Sequence, residues 1–216
     1  MSDLRIHLAP CNPPGLVLDG RPFSAFCWVV RTIPTYGSLK VSKLLRKLSL
    51  ILGGANSGKS SFAENIILQS GLAPVYIATA QAFDEEMKSK ISAHQKARGP
   101  EWETLEAPLD LSAALKKTTS RHAVLIDCAT LWLTNFILAD RDVGEVSNVF
   151  LNALDEAPGP VVVVSNETGQ GIVPENALAR RFRSAQGRLN QAIAAEADLA
   201  VLIVAGLPMT LKGDLP

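Results

Sequence analysis

The stretch that most limits what this chain can fold into is Leu48-Ser49-Leu50-Ile51-Leu52-Gly53-Gly54-Ala55-Asn56-Ser57-Gly58-Lys59-Ser60-Ser61. Its apolar run suits one buried strand, its loop reads G-x-x-x-x-G-K-S, and Phe62-Ala63-Glu64-Asn65-Ile66-Ile67-Leu68 continues with helical apolar spacing. Strand, glycine loop, lysine–serine pair and helix in that order form the setting in which such a loop cradles phosphates. Gly53 and Gly58 permit the tight turn. The backbone N–H groups of Gly54, Ala55, Asn56 and Ser57 then converge on an anion, and the positive end of the helix adds to their pull. Lys59 is expected to reach the β- and γ-phosphates and the Ser60 hydroxyl to ligate Mg²⁺.

Composition narrows the class. Lysine plus arginine balances aspartate plus glutamate at 21 each in 216 residues, so no global field favours nucleic acid or an anionic membrane. The length suits one α/β domain, and no apolar run approaches the roughly 18 residues a membrane span needs. The cysteines, Cys11, Cys27 and Cys128, are odd in number and widely spaced. A disulfide framework or zinc site is therefore not expected, and the cytoplasm is the expected compartment.

Residues 1 to 46 hold five prolines and no sustained periodicity, and read as a poorly structured extension or a start site assigned too far upstream. Residues 47 to 216 read as the working domain. There, short apolar runs alternate with helical spacing, the pattern of a mostly parallel sheet flanked by helices in three layers. Val75-Tyr76-Ile77-Ala78 is a strand leading to Thr79-Ala80-Gln81, where open α/β sheets place ligand loops. Asp84 to Arg98 is a helix on which Met87, Ile91, His94 and Arg98 share one face. Trp102 to Glu106 alternates like a strand, and Ala123 to Asp127 is a buried strand ending in an acid. That acid stands where a P-loop fold places a Mg²⁺-holding carboxylate, although a strand-end aspartate also caps helices. Val161 to Val164 is a central strand, Pro174 opens a helix from Glu175 to about Ala197, and Leu199 to Gly206 is the last strand. The Glu175–Ala197 helix carries Arg180, Arg181, Arg183 and Arg188, of which at least one is expected to recognise phosphate.

A P-loop supplies a triphosphate but not its acceptor. His94 is the distinguishing residue, because a neutral imidazole can attack phosphorus and Arg98, one helical turn on, would offset the charge. His7 and His122 have no such company. The ordered set of Gly53 to Ser60, Tyr76 to Ala80, Asp84 to Met87 with His94 and Arg98, Trp102 to Glu106, Asp127-Cys128 with Leu131 to Asn135, and Asn166-Glu167 through Asn176 resembles the bifunctional adenosylcobinamide kinase/adenosylcobinamide-phosphate guanylyltransferases of cobalamin biosynthesis. The resemblance covers nearly everything from Leu48 to Lys212. It implies that ATP or GTP phosphorylates the aminopropanol hydroxyl of adenosylcobinamide. The residue matching His94 then takes GMP from GTP as a phosphoramidate and passes it to the substrate phosphate, giving adenosylcobinamide-GDP. It also implies that the P-loop, Thr79, Ala80, Gln81, Gln95, Lys96, Ala97, Arg98, Glu106 and Asp127 line the nucleotide site and that the protein is a homotrimer; Ser60 and Asp127 remain the Mg²⁺ candidates of the P-loop reading. One departure is Asn56, where the family commonly has arginine, which removes a positive charge near the phosphates. The competing readings are a monofunctional P-loop small-molecule kinase with a structural His94, and a nucleotide-dependent regulatory protein.

Overall fold

The computed structural model describes residues 17–18, 21–22, 45–81 and 99–216. The chain divides into two compact units, Met1–Lys40 and Val41–Pro216. In the first, β1 (Val17–Leu18) pairs antiparallel with β2 (Arg21–Pro22). The helix expected over Asp84 to Arg98 lies outside the described residues. Among those described, no helix is long and apolar enough to cross a membrane.

The second unit is built on seven strands: β3 (Leu48–Gly53), β4 (Ala73–Ala78), β5 (Glu103–Glu106), β6 (His122–Asp127), β7 (Val161–Asn166), β8 (Leu199–Val204) and β9 (Leu207–Lys212). They lie in the order β5-β4-β6-β7-β3-β8-β9. Every neighbouring pair is parallel except β8 with β9, so the expected mostly parallel α/β sheet is what forms. The helices are α1 (Lys59–Gln69), α2 (Leu111–Leu115), α3 (Ala129–Leu138), α4 (Val143–Asp155) and α5 (Ala177–Glu196).

Alternation along each strand sends its side chains into two cores on opposite faces. Leu48, Leu50, Leu52, Val124, Ile126, Val161 and Val163 meet Trp132, Phe150 and Leu189 from α3, α4 and α5. Ile51, Leu125, Val162, Val164 and Val201 meet Ala63, Ile66 and Ile67 of α1, with Leu45 joining them. Burial on both faces explains the continuous apolar runs, and the three layers follow from it.

Strand ends shift from the sequence reading by one or two residues, and two other differences involve α5 and β9. Helix α5 begins at Ala177 rather than at Glu175, because Asn176 caps it, its side-chain oxygen accepting from Ala179 N at 3.1 Å. Strand β9 was not expected at all. It follows a turn in which Ala205 and Gly206 both have positive φ (51° and 80°), the geometry that folds two-residue hairpins. That hairpin bears on the site, since Gly206 N donates to Ser57 O at 2.9 Å and so steadies the glycine loop.

Candidate nucleotide site

Parallel strands put their carboxyl ends on one edge of the sheet, and of the residues singled out from the sequence the P-loop, Thr79 to Gln81, Glu106 and Asp127 follow or end strands at that edge. Strand β3 delivers Gly53 to the edge between β7 and β8. The loop closes with Ser57 N donating to Gly54 O at 3.3 Å, and Phe62 N bonds Gly58 O at 3.0 Å as α1 starts. A side chain at Gly53 would collide with Ser57 Oγ and with Ile203 O, so only glycine fits that corner. Gly58 has φ of 94°, a left-handed conformation that glycine takes without strain. Asn56 is also left-handed at φ of 56°, and asparagine is among the side chains best suited to that region. Lys59 Nζ lies over the loop, donating to Gly54 O at 3.0 Å.

Asp127 ends β6, two strands from β3 and about 10 Å across the sheet at ordinary strand spacing. It does not cap the helix that follows: Cys128 is the N-cap residue of α3, without a side-chain cap hydrogen bond. No hydrogen bond or ion pair to the Asp127 carboxylate is found among the described residues. Burial pushes the Cys128 thiol up to about 12, the Asp127 charge adds to the rise, and Lys59 works against it. Lysine, aspartate and thiol thus share one electrostatic neighbourhood.

Beyond Asp127, the expected Thr79 is fully buried and its hydroxyl is committed elsewhere. It donates to Cys128 O at 2.7 Å and accepts from Cys128 N at 2.8 Å. Asn135 of α3 donates through Nδ2 to Thr79 O at 2.9 Å and to Pro108 O at 2.8 Å, tying the ends of β4 and β5 to α3. Thr79 thus ties the end of β4 to the β6–α3 junction. Glu106 ends β5 opposite Ala78 and borders a cavity of about 310 Å³ with Pro108, Asp110, Ala113 and Lys117. Strand order separates it from Gly53 by four strand steps, about 19 Å. His94, Gln95, Lys96, Ala97 and Arg98 lie outside the described residues.

The arginines of α5 are mostly spent on structure. Arg180 donates to Pro174 O and Glu175 O, Arg183 to Ile172 O and Gly169 O, and Arg181 pairs with Asp140 at 3.0 Å. Arg188 lines a cavity of about 370 Å³ with Arg180, Arg183, Ser184 and Gln191. His122 is structural, its Nδ1 accepting from Thr119 N at 2.9 Å.

One neighbour of the P-loop had no site role in the sequence reading. Strand β7 lies directly beside β3 with Asn166 opposite Gly53, and Glu167 N donates to Gly53 O at 3.1 Å. The position of Glu167 follows from strand order, which local sequence does not reveal. The signals were the run Ser165-Asn166-Glu167-Thr168-Gly169 closing a strongly apolar strand and the place of Asn166-Glu167 among the segments that carry the family resemblance.

With the geometry in place, the comparisons with known proteins are informative. Residues 49–211 match the family model described as cobinamide kinase / cobinamide phosphate guanyltransferase. The bifunctional adenosylcobalamin biosynthesis protein CobP of Pseudomonas aeruginosa is 50% identical over 169 residues, covering 76% of this chain and 97% of that protein. The bifunctional adenosylcobalamin biosynthesis protein CobU of Salmonella typhimurium is 38% identical over 181 residues, covering 76% and 98%. Among solved structures, a Pyrococcus horikoshii OT3 protein gives a TM-score of 0.50 at 8% identity over 80% of this chain and 89% of that one, a likeness of fold alone.

Proposed function

Because the chain belongs to the cobinamide kinase / cobinamide phosphate guanyltransferase family and is a transferase of that kind, we propose that both of its reactions run at the carboxyl edge of the sheet, on one triphosphate cradle. The substrate is a corrinoid, adenosylcobinamide and then its phosphate. The observation that carries this reading is the complete P-loop between β7 and β8, with Lys59 over the loop and Asp127 in its electrostatic neighbourhood.

Both reactions are displacements at phosphorus in which negative charge must be spread and held, so one set of N–H groups and one ammonium can serve each. In the kinase step the acceptor oxygen forms a bond to the γ-phosphorus and the nucleoside diphosphate leaves. In the second reaction an imidazole nitrogen of His94 bonds the α-phosphorus of GTP while the α–β phosphoanhydride breaks and pyrophosphate departs. The substrate phosphate then bonds the same phosphorus, the N–P bond breaks, and adenosylcobinamide-GDP is released. Neutral imidazole is the competent form, which an ordinary histidine pKa supplies near neutral pH.

The Ser60 hydroxyl and the Asp127 carboxylate suit Mg²⁺, a hard cation that takes one or two protein oxygens together with substrate phosphates. No group of three or more His, Cys, Asp or Glu residues that could form a cage for a metal occurs among the described residues, which accords with that sparse ligation. When bound, the ion neutralises charge on the phosphates. Thr79, Ala80, Gln81 and Glu106, at the carboxyl ends of β4 and β5, and Gln95 to Arg98 are assigned to the nucleotide by the family pattern. A homotrimer in the cytoplasm, with sites shared between subunits, completes the proposal.

Intact-mass measurement after incubation with GTP tests it. We expect a gain of one GMP per chain, and its absence in His94→Ala, with that variant still phosphorylating adenosylcobinamide. An unmodified wild type, or a His94→Ala variant that still acquires GMP, would refute the covalent route.

A further inference from the structure

The two reactions differ in what their nucleophiles need. A phosphate oxygen attacks already ionised, whereas an alcohol must lose a proton as it bonds to phosphorus, so the kinase step alone calls for a base. Among the described residues, three carboxylates stand at the carboxyl ends of the strands around the loop. Glu106 is four strand steps from β3. Asp127 pairs with Val164, two residues below the level at which Asn166 meets Gly53, and is suited to the cation. Glu167 is different, because its own N–H is bonded to Gly53 O at the root of the P-loop.

Its carboxylate is both held and available. Oε1 accepts from Gly169 N at 2.5 Å, which turns the group within its own loop, and Glu167 is only half-buried. No lysine or arginine pairs with it among the described residues. A second observation comes from the hydroxyls around it. Thr168 Oγ1 and Ser57 Oγ are buried and without hydrogen-bond partners. Ser57 Oγ occupies the space that a side chain on Gly53 would need, and Gly53 is the residue whose carbonyl Glu167 N–H meets. Buried polar atoms are almost always satisfied, so these two orphaned hydroxyls, one next to Glu167 in the chain and the other against Gly53, are open to a polar ligand.

We propose that Glu167 is the general base of the kinase step and that the Glu167–Thr168 turn is the subsite for the acceptor alcohol. This rests on the kinase reading above. The hydroxyl proton passes to the Glu167 carboxylate as the oxygen bonds the γ-phosphorus. The bond from the γ-phosphorus to the bridging oxygen breaks, its electron pair leaves on the nucleoside diphosphate, and the proton is then given to solvent. Thr168 Oγ1 and Ser57 Oγ orient the alcohol and the transferred phosphoryl group.

The experiment measures both reactions separately in the full chain, with adenosylcobinamide for the first and preformed adenosylcobinamide phosphate plus GTP for the second. Glu167→Gln keeps an oxygen for Gly169 N but cannot take a proton. We expect its kinase kcat to fall by about 10²- to 10⁴-fold, the contribution usual for a general base, with KM for the nucleotide unchanged and guanylyl transfer retained. The acid limb of the wild-type kinase pH profile should vanish in Glu167→Gln, and Glu167→Asp should recover part of the rate with the limb. A Glu167→Gln variant with the wild-type kinase rate overturns the assignment. So does a folded variant, by thermal melting, in which both reactions fall together. A wild type without kinase activity on adenosylcobinamide would instead remove the functional reading on which the assignment stands.

Discussion

At the scale of single residues, the site depends on a lysine that a strand, a loop and a helix start all conspire to place. Lys59 is the first residue of α1, and its ammonium reaches back across the loop to Gly54 O at 3.0 Å. A phosphate oxygen entering the cradle would compete for that same charge. Lys59→Ala should therefore lower kcat/KM for phosphorylation and for guanylyl transfer alike, each by about 10²-fold or more, the usual cost of losing one preorganised donor to a developing charge. Steady-state assays of the two reactions check this, and normal rates in either would show that the ammonium lies away from the reacting phosphates. The same scale separates what sequence can show from what it cannot. Gly53, Gly58, Lys59 and Asp127 were legible because their chemistry is written in adjacent letters: glycine where the backbone turns left-handed or has no room, an acid where a buried strand ends. Thr79 was legible as a position but not as a role, since its hydroxyl is committed to Cys128, 49 residues away. Glu167 had no site role for the same reason, its meaning being set by Gly53 on a neighbouring strand far earlier in the chain.

At the scale of elements, most strands and helices followed from apolar runs and helical spacing, and the misses have physical causes. Strand β9 carries Pro208 and exposes Leu207, Met209 and Leu211, so it lacks the continuous burial that marks the parallel strands. An edge strand tolerates proline because one side of its ladder faces solvent, and the alternation of Leu207, Met209 and Leu211 after Ala205-Gly206 was the available signal. The junction of β4, β5 and α3 shows an element-scale dependence that no run of sequence announces. One buried amide, Asn135 Nδ2, holds Thr79 O and Pro108 O together, and Trp132 Nε1 adds a bond to Leu109 O at 3.2 Å. Asn135→Leu would bury two carbonyls without that donor. At roughly 1–3 kcal/mol for each of two buried groups left unsatisfied, we expect a loss of about 2–6 kcal/mol in urea unfolding, with the slope of the transition unchanged. A change below about 0.5 kcal/mol, the range of an ordinary surface substitution, would mean that the two carbonyls find other partners.

At the scale of the whole chain, the question is what the catalytic unit needs in order to exist. Val41–Pro216 contains both cores, the full seven-stranded sheet and every P-loop residue. Its amino-terminal margin is set by Leu45, 7% exposed in the core beside α1, and by Lys47, whose carbonyl accepts from Val161 N at 2.9 Å to start the β3–β7 register. A chain beginning at Val41 keeps both, whereas one beginning after Lys47 would lose them. We expect the Val41 truncation to melt with the cooperativity of the full chain and to carry out both transfers at its rates. The truncation also leaves Cys128 as its single cysteine, which gives a chemical readout of packing. Burial raises that thiol from 9.0 to about 12, so at pH 8 the folded chain holds about one thiolate in 10⁴ where an unfolded one holds about one in ten. A thiol reagent should then label the truncated protein only on denaturation, and the labelling midpoint in urea should coincide with the loss of turnover. Labelling of the native truncation, or turnover well below that of the full chain, would show that residues before Val41 are required to close the core around α1. The measurement decides between a self-sufficient P-loop unit and one that borrows part of its packing from the segment ahead of it.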